Sequence, residues 1–104
     1  MSKLIDSRKT KSIKLPSFPE DTVVLYDDIL TGDAIELGKV EDEYENGIRL
    51  LMKIIKEWSF VGEDDKPLPV NKDSLSLIPV KDFSLLMDEV NKLMGFLDKK
   101  ELKN

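Results

Sequence analysis

Apolar residues recur at every third or fourth position between residues 31 and 58, which is the spacing of one face of an α-helix. The stripe consists of Ala34, Leu37, Val40, Tyr44, Ile48, Leu51, Met52, Ile55 and Trp58. Gly38 and Gly47 interrupt it. The pattern therefore predicts a short helix at about residues 31–38 and a long amphipathic helix at about residues 40–58.

Polar residues along this stretch support the two helices. Thr31 is the expected N-cap of the short helix, and Asp33 follows where negative charge favours the helix dipole. On the long helix Glu45 precedes Arg49 by four residues, so the two side chains are spaced for a favourable ion pair.

A second apolar stripe follows Pro79 and predicts another long amphipathic helix. Its members are Phe83, Leu86, Met87, Val90, Leu93, Met94 and Leu97. Before Pro79, the segment "NKDSLSLIP" predicts a single helical turn with Asn71 as its N-cap. We expect the two long stripes to pack on each other.

The segments "SIKLP" and "TVVLYD" near the N-terminus have the alternating, β-branched and aromatic composition of strands. They flank "SFPED", and Pro16 and Pro19 indicate a turn between them because proline cannot donate to a strand ladder. The expected fold class is mainly α: a small helical domain of two long amphipathic helices plus short helices, with a short N-terminal β-hairpin.

The chain of 104 residues is long enough for one small domain. We expect a flexible basic arm over residues 1–11, a single domain over residues 12–97 and a charged tail over residues 98–104. The basic residues near the N-terminus are Lys3, Arg8, Lys9, Lys11 and Lys14. The whole chain carries a net charge of -5, which argues against nucleic acid as the main partner.

Histidine and cysteine are both absent, so the commonest general base, metal ligand and thiol nucleophile are missing. The acids in "GEDDK" are consecutive and lack the alternation of a calcium loop. Gly32 and Gly38 do not form a phosphate-binding pattern. We expect a non-enzyme without cofactor or metal. No apolar run approaches the ~20 residues that span a bilayer, and no signal peptide is recognisable, so a soluble intracellular protein without membrane contact is expected.

The stretch "EWSFVGEDDKPLPV" holds the only tryptophan and two of the five prolines. We interpret it as a helix end and an acidic turn, followed by a stiff extended segment that covers the Trp58 side chain. The alternative is direct contact with a partner, since tryptophan is also frequent at interface hot spots. The candidate partner-binding residues are Trp58, Phe60, Leu68, Val70, Met87 and Met94.

The order of these features resembles the tail assembly chaperones of long-tailed bacteriophages and related prophage elements. The shared pattern is W-x-F, acidic residues with glycine, "KPLP", a capped turn and "LPxxD" before a last helix. The matching positions are Trp58, Phe60, Lys66, Pro67, Leu68, Pro69, Pro79, Asp82 and Phe83. The resemblance covers about residues 11–97. This chain departs from it at Ile78, where leucine is expected, and at Asp65, where glycine is expected beside Lys66.

The resemblance implies a non-catalytic protein that binds the tape measure protein, keeps its apolar helices soluble and helps recruit the major tail protein. Such a chaperone acts in the cytoplasm of the bacterial host and is absent from the mature virion. One alternative is a small structural tail or connector component that self-associates through the hairpin edge. Another is a host or prophage interaction module, for which the basic arm is the only support.

Overall fold

Three antiparallel strands form one sheet in the computed structural model, which describes residues 3–93. They are β1 (Thr10–Leu15), β2 (Phe18–Tyr26) and β3 (Ile55–Trp58), in the order β1-β2-β3. The β1–β2 pair is the predicted hairpin, but its turn is shorter than predicted: Pro16 and Ser17 form it, and Pro19 lies in β2. β3 was not predicted, and it makes the hairpin part of a larger sheet.

Four helices accompany the sheet: α1 (Thr31–Leu37), α2 (Glu43–Ile54), α3 (Lys72–Leu75) and α4 (Val80–Leu93). Asn71 caps α3 as predicted, with its side chain accepting a hydrogen bond from the Ser74 backbone N–H. The predicted Thr31 cap is wrong. Leu30 occupies the cap position of α1 and makes no side-chain cap hydrogen bond.

The mainly α fold class is wrong, because the described residues are 41% helical and 23% strand around a three-stranded sheet. The predicted helix over residues 40–58 ends at Ile54, and β3 begins at the next residue. Its last residues pair with β2 instead, with Trp58 opposite Val23. The domain is therefore a small α/β domain with helices of 12 and 14 residues as its longest.

The core lies between one face of the sheet and the helices. Its buried apolar residues are Leu15, Val23, Leu25, Ile29, Leu37, Leu51, Ile54, Ile55, Leu75, Leu86 and Val90. Tyr44 belongs to the predicted core stripe of α2, but its side chain is 81% exposed. The buried residues of α2 are Leu51 and Ile54, near its C-terminal end, whereas Tyr44 and Met52 of the predicted stripe are exposed.

Two polar contacts tie the periphery to this core. The buried Asp82 on α4 accepts a hydrogen bond from the Ser17 backbone N–H in the β1–β2 turn, at 3.1 Å. Before β1, the guanidinium of Arg8 lies 3.7 Å from the ring centre of Tyr26 and pairs with Asp6. These contacts connect α4 to the hairpin turn and the residues preceding β1 to β2.

Candidate functional site

Trp58 and Phe60 lie at and just beyond the end of β3, where the chain turns away from the sheet. The rings of Trp58 and Phe60 meet edge to face with centroids 5.3 Å apart. Phe18 meets Phe60 in the same manner at 5.1 Å. Edge-to-face contacts of this kind add stability beyond the area that they bury. The three rings form one aromatic cluster.

The chain after Phe60 folds back on itself as a tight turn. The Leu68 N–H donates to the Phe60 carbonyl at 3.0 Å, and the Gly62 N–H donates to the Lys66 carbonyl at 2.9 Å. Asp65 has a φ of 59°, and it alone among the non-glycine residues described has positive φ. Glycine adopts this conformation at the lowest cost. Asp65 is also the position where the family resemblance leads us to expect glycine.

The returning segment covers the tryptophan, as the sequence predicted. The Trp58 indole N–H donates to the Leu68 carbonyl at 2.8 Å, which ties the returning segment to the edge of the indole ring. A pocket of about 180 Å³ remains beside the cluster. We call it the tryptophan pocket, and it is lined by Phe18, Trp58, Phe60, Val61, Leu68, Ser74, Leu77 and Ile78.

A second depression, of about 450 Å³, lies between α2 and α4. We call it the α2–α4 groove, and it is lined by Tyr44, Ile48, Leu75, Ser76, Ile78, Val80, Phe83, Ser84, Met87 and Asp88. Tyr44 and Val80 are each 81% exposed. Because Ile78 lines both the groove and the tryptophan pocket, the two form one continuous apolar surface.

Four of the six candidate binding residues lie on this surface. Trp58, Phe60 and Leu68 line the tryptophan pocket, and Met87 lines the groove. Val70 packs against the core, half-buried. Met94 lies outside the described residues.

Sequence reasoning missed the most exposed members of the surface: Tyr44, Leu77 and Val80. Tyr44 was assigned to the core because it fits the helical period. Leu77 and Val80 lie outside both predicted stripes, and that was the available signal.

Charged side chains dominate a third depression, on the other flank of α2. This charged cleft is lined by Glu36, Leu37, Glu45, Arg49, Met52, Lys53 and Lys72. Lys53 pairs with Glu36 at 3.0 Å and Asp33 at 3.4 Å. Glu45 pairs with Lys72 at 3.0 Å and with Arg49 at 3.1 Å, which confirms the predicted Glu45–Arg49 pair.

These ion pairs shift the pKa values of charged side chains in the cleft. The hydrogen bond from Lys53 lowers the pKa of the Glu36 carboxyl, and the hydrogen bond from Lys72, followed by that from Arg49, lowers the pKa of Glu45. The Glu36 and Asp33 carboxylates raise the pKa of Lys53. Opposite charges at this distance favour the ionised form of each partner. The cleft therefore neutralises its own charges.

The α2–α4 groove differs because Asp88 is the one charged residue in its lining. Within residues 3–93, Asp88 forms no ion pair, and neither does Glu43, which precedes Tyr44 at the start of α2. Over the same residues, no group of three acidic side chains is placed to hold a metal ion. What this arrangement offers chemically is apolar contact beside uncompensated negative charge.

Comparison with protein-family models, with characterised proteins and with solved structures gave no match for this chain. None of the helices within residues 3–93 has the length and apolar character that crossing a membrane requires. The apolar surface therefore has to be interpreted from its own geometry and from the sequence pattern.

Proposed function

We propose that this chain is a tail assembly chaperone of a long-tailed bacteriophage or prophage. In this role it binds the tape measure protein, keeps apolar helices of that protein soluble and assists assembly of the tail tube with the major tail protein. It acts in the cytoplasm of the bacterial host and does not remain in the virion. The function requires no catalysis and no cofactor.

The observation that carries the proposal is the continuous apolar surface of the tryptophan pocket and the α2–α4 groove. Leu77 is 74% exposed and Val61 is 50% exposed, beside the still more exposed Tyr44 and Val80. Contiguous apolar surface of this kind on a small domain is typical of protein–protein contact. The net charge of -5 favours solubility of the chaperone while it holds an apolar client.

The resemblance supplies a second, independent support. Its most specific stretch, from Trp58 to Pro69, folds into the aromatic cluster and the turn that borders this surface. The residue at which glycine is expected, Asp65, has the positive φ that glycine favours. A family pattern with glycine at this position is compatible with aspartate here, because aspartate is among the residues that tolerate the left-handed region.

Co-expression with the tape measure protein encoded in the same phage genome tests the function directly. We expect the tape measure protein to become soluble and to co-purify with this chain. The double variant Leu77→Ser with Tyr44→Ser removes exposed apolar groups from both parts of the surface and should abolish the effect. Ile35→Ser is the matched control, because Ile35 is 59% exposed on α1, outside the surface. A tape measure protein that stays insoluble and unbound beside the wild type would refute the proposal.

A structural virion component is a second candidate, and one observation favours it. β1 lies at the edge of the described sheet, so its outer backbone groups are available to pair with a second copy. Mass spectrometry of purified particles separates the two candidates. A chaperone is absent from the particle, whereas a tail or connector subunit is present in stoichiometric amount.

A further inference from the structure

The shape of the α2–α4 groove restricts what it can bind. Its lining residues lie on α2, on α4 and on the segment from Leu75 to Ile78 between them, and none lies on a strand, so a ligand finds no free strand edge. Ile48, Phe83 and Met87 are half-buried along it, and Tyr44 and Val80 stand exposed in its lining. Grooves with this construction accept the apolar face of an amphipathic helix, with side chains spaced three and four residues apart.

The floor of the groove suits such a ligand because α2 and α4 approach each other at a glycine. A Cβ atom placed on Gly47 would lie 3.8 Å from Phe83 and 3.9 Å from Met87. Because Gly47 has no side chain, the Phe83 and Met87 side chains lie close to the α2 backbone. Methionine is flexible and polarisable, so Met87 can adjust to apolar side chains of different shape.

The charge around the groove indicates which sign of charge a ligand should carry. Asp88 lies in the lining and forms no ion pair with another residue in the range 3–93. Glu45, one residue after Tyr44, is by contrast held by both Arg49 and Lys72. Uncompensated acids at the border of an apolar contact favour a partner with cations at the same border.

We propose that the α2–α4 groove binds an amphipathic helix whose apolar face is flanked by lysine or arginine. The inference rests on the proposed function for its biological setting, where the helix would belong to the tape measure protein. The groove supplies apolar contact through Tyr44, Val80 and Met87, and Asp88 selects the flanking cations.

Two designed helical peptides test the inference on the full chain. Both carry the same leucines at positions i, i+3, i+4 and i+7, but one has lysine flanks and the other glutamate flanks. Fluorescence anisotropy at low salt should show the lysine-flanked peptide binding at least about tenfold more tightly. Added salt should reduce that preference, because exposed charges are screened.

Variants then place the binding in the groove. Tyr44→Ser combined with Val80→Ser should weaken the lysine-flanked peptide by about tenfold or more, since truncation of contact residues at an interface centre costs at least this much. Ile35→Ser is again the control and should leave the affinity unchanged. Asp88→Asn should narrow the gap between the two peptides, whereas Glu20→Gln, the same charge change on β2, should not.

Three results would overturn the inference: equal binding of both peptides, unchanged binding by the Tyr44 and Val80 double variant, or a wild-type dimer that Tyr44→Ser dissociates. The third result would assign the groove to a second copy of the chain. A tape measure protein bound equally by the wild type and the double variant would leave the chaperone function standing without this groove. Tight, groove-dependent binding of the lysine-flanked peptide without tape measure binding would support the groove and refute the chaperone function.

Discussion

The two flanks of α2 differ in their exposed side chains: one flank is charged and forms ion pairs within the chain, and the other is apolar. On the flank toward α1 and α3, Lys53 and Glu45 each contact two oppositely charged side chains of the same chain. On the flank toward α4, Tyr44 is exposed and Asp88 forms no ion pair within residues 3–93. Within residues 3–93 the charged cleft therefore pairs its own charges, whereas the groove leaves apolar side chains exposed and the Asp88 carboxylate outside any ion pair.

The largest expected loss of stability is at Trp58, whose ring belongs to the aromatic cluster at the end of β3. Trp58→Ala removes the edge-to-face contact with Phe60 and the hydrogen bond to the Leu68 carbonyl. We expect a loss of about 2–3 kcal/mol in the free energy of unfolding, somewhat below that of a fully buried tryptophan. Chemical denaturation measures the change.

Trp58→Phe separates the two contributions, because it keeps a ring and removes only the indole N–H. It should cost about 1 kcal/mol, the usual net value of one hydrogen bond. Unchanged stability of Trp58→Ala together with lost partner binding would contradict the structural role. Trp58 would then be a residue that contacts the partner directly, as we propose for Tyr44.

A smaller effect of opposite sign is expected at the floor of the groove. Gly47→Ala places a methyl group at ordinary van der Waals distance from Phe83 and Met87, with 3.8 Å as the closest approach. Alanine is favoured over glycine inside a helix by about 1 kcal/mol, so the variant should be more stable by about that amount. Thermal unfolding is the measurement. A lower melting temperature would mean that α4 cannot accommodate the methyl group and that the floor is already filled.

The charged cleft should contribute a smaller, pH-dependent amount. Hydrogen bonding by Lys53 lowers the pKa of Glu36 below its ordinary value of 4.5, so this stabilisation is present above pH 4.5 and lost as pH falls through the lowered pKa. Glu36, followed by Asp33, raises the pKa of Lys53 above 10.5, so its contribution is lost as pH rises beyond that value.

Melting temperatures of the wild type and Lys53→Met, measured from neutral pH to below pH 4.5, check this linkage. The wild type should melt higher at neutral pH, and the difference should close as the solution becomes acid. Lys81→Met is the control on α4, where Lys81 has no ion pair among the described residues. A gap that persists in acid would mean that Lys53 stabilises through packing of its aliphatic stem instead of its charge.

The smallest change in stability is expected at Tyr44, which together with Val80 is the most exposed part of the groove. Tyr44 is 81% exposed, so Tyr44→Ser should alter the free energy of unfolding by no more than about 0.5 kcal/mol. Circular dichroism during denaturation provides the measurement. A larger loss would place Tyr44 in the packing of the domain and remove the contrast between the two flanks.

The sequence predicted α4 and the β1–β2 hairpin because each depends on contacts close in sequence or on one clear period. It missed β3 because Leu51, Ile55 and Trp58 fit a helical period equally well. What decides the conformation there is pairing with β2, thirty to thirty-five residues earlier, and no local pattern reports that pairing. The alternation of Trp58 and Phe60 was the one local indication of a strand.

The candidate surface was predictable to a similar extent. The contact of Trp58 with the Leu68 segment follows from a stiff, proline-containing stretch soon after the tryptophan, and the structure confirms it. Exposure of Tyr44 was not predictable, because a helical stripe identifies a face without saying how far the neighbouring elements extend along it. α4 covers α2 near Gly47 and leaves the first turn uncovered.

The direct junction between α2 and β3 has a mechanical consequence. Ile54 ends the helix and Ile55 begins the strand, so no loop residue lies between them to absorb a rotation. Both side chains are buried, which anchors the junction in the core. We therefore expect any displacement of α2 to move β3 with it, because the junction contains no loop residue.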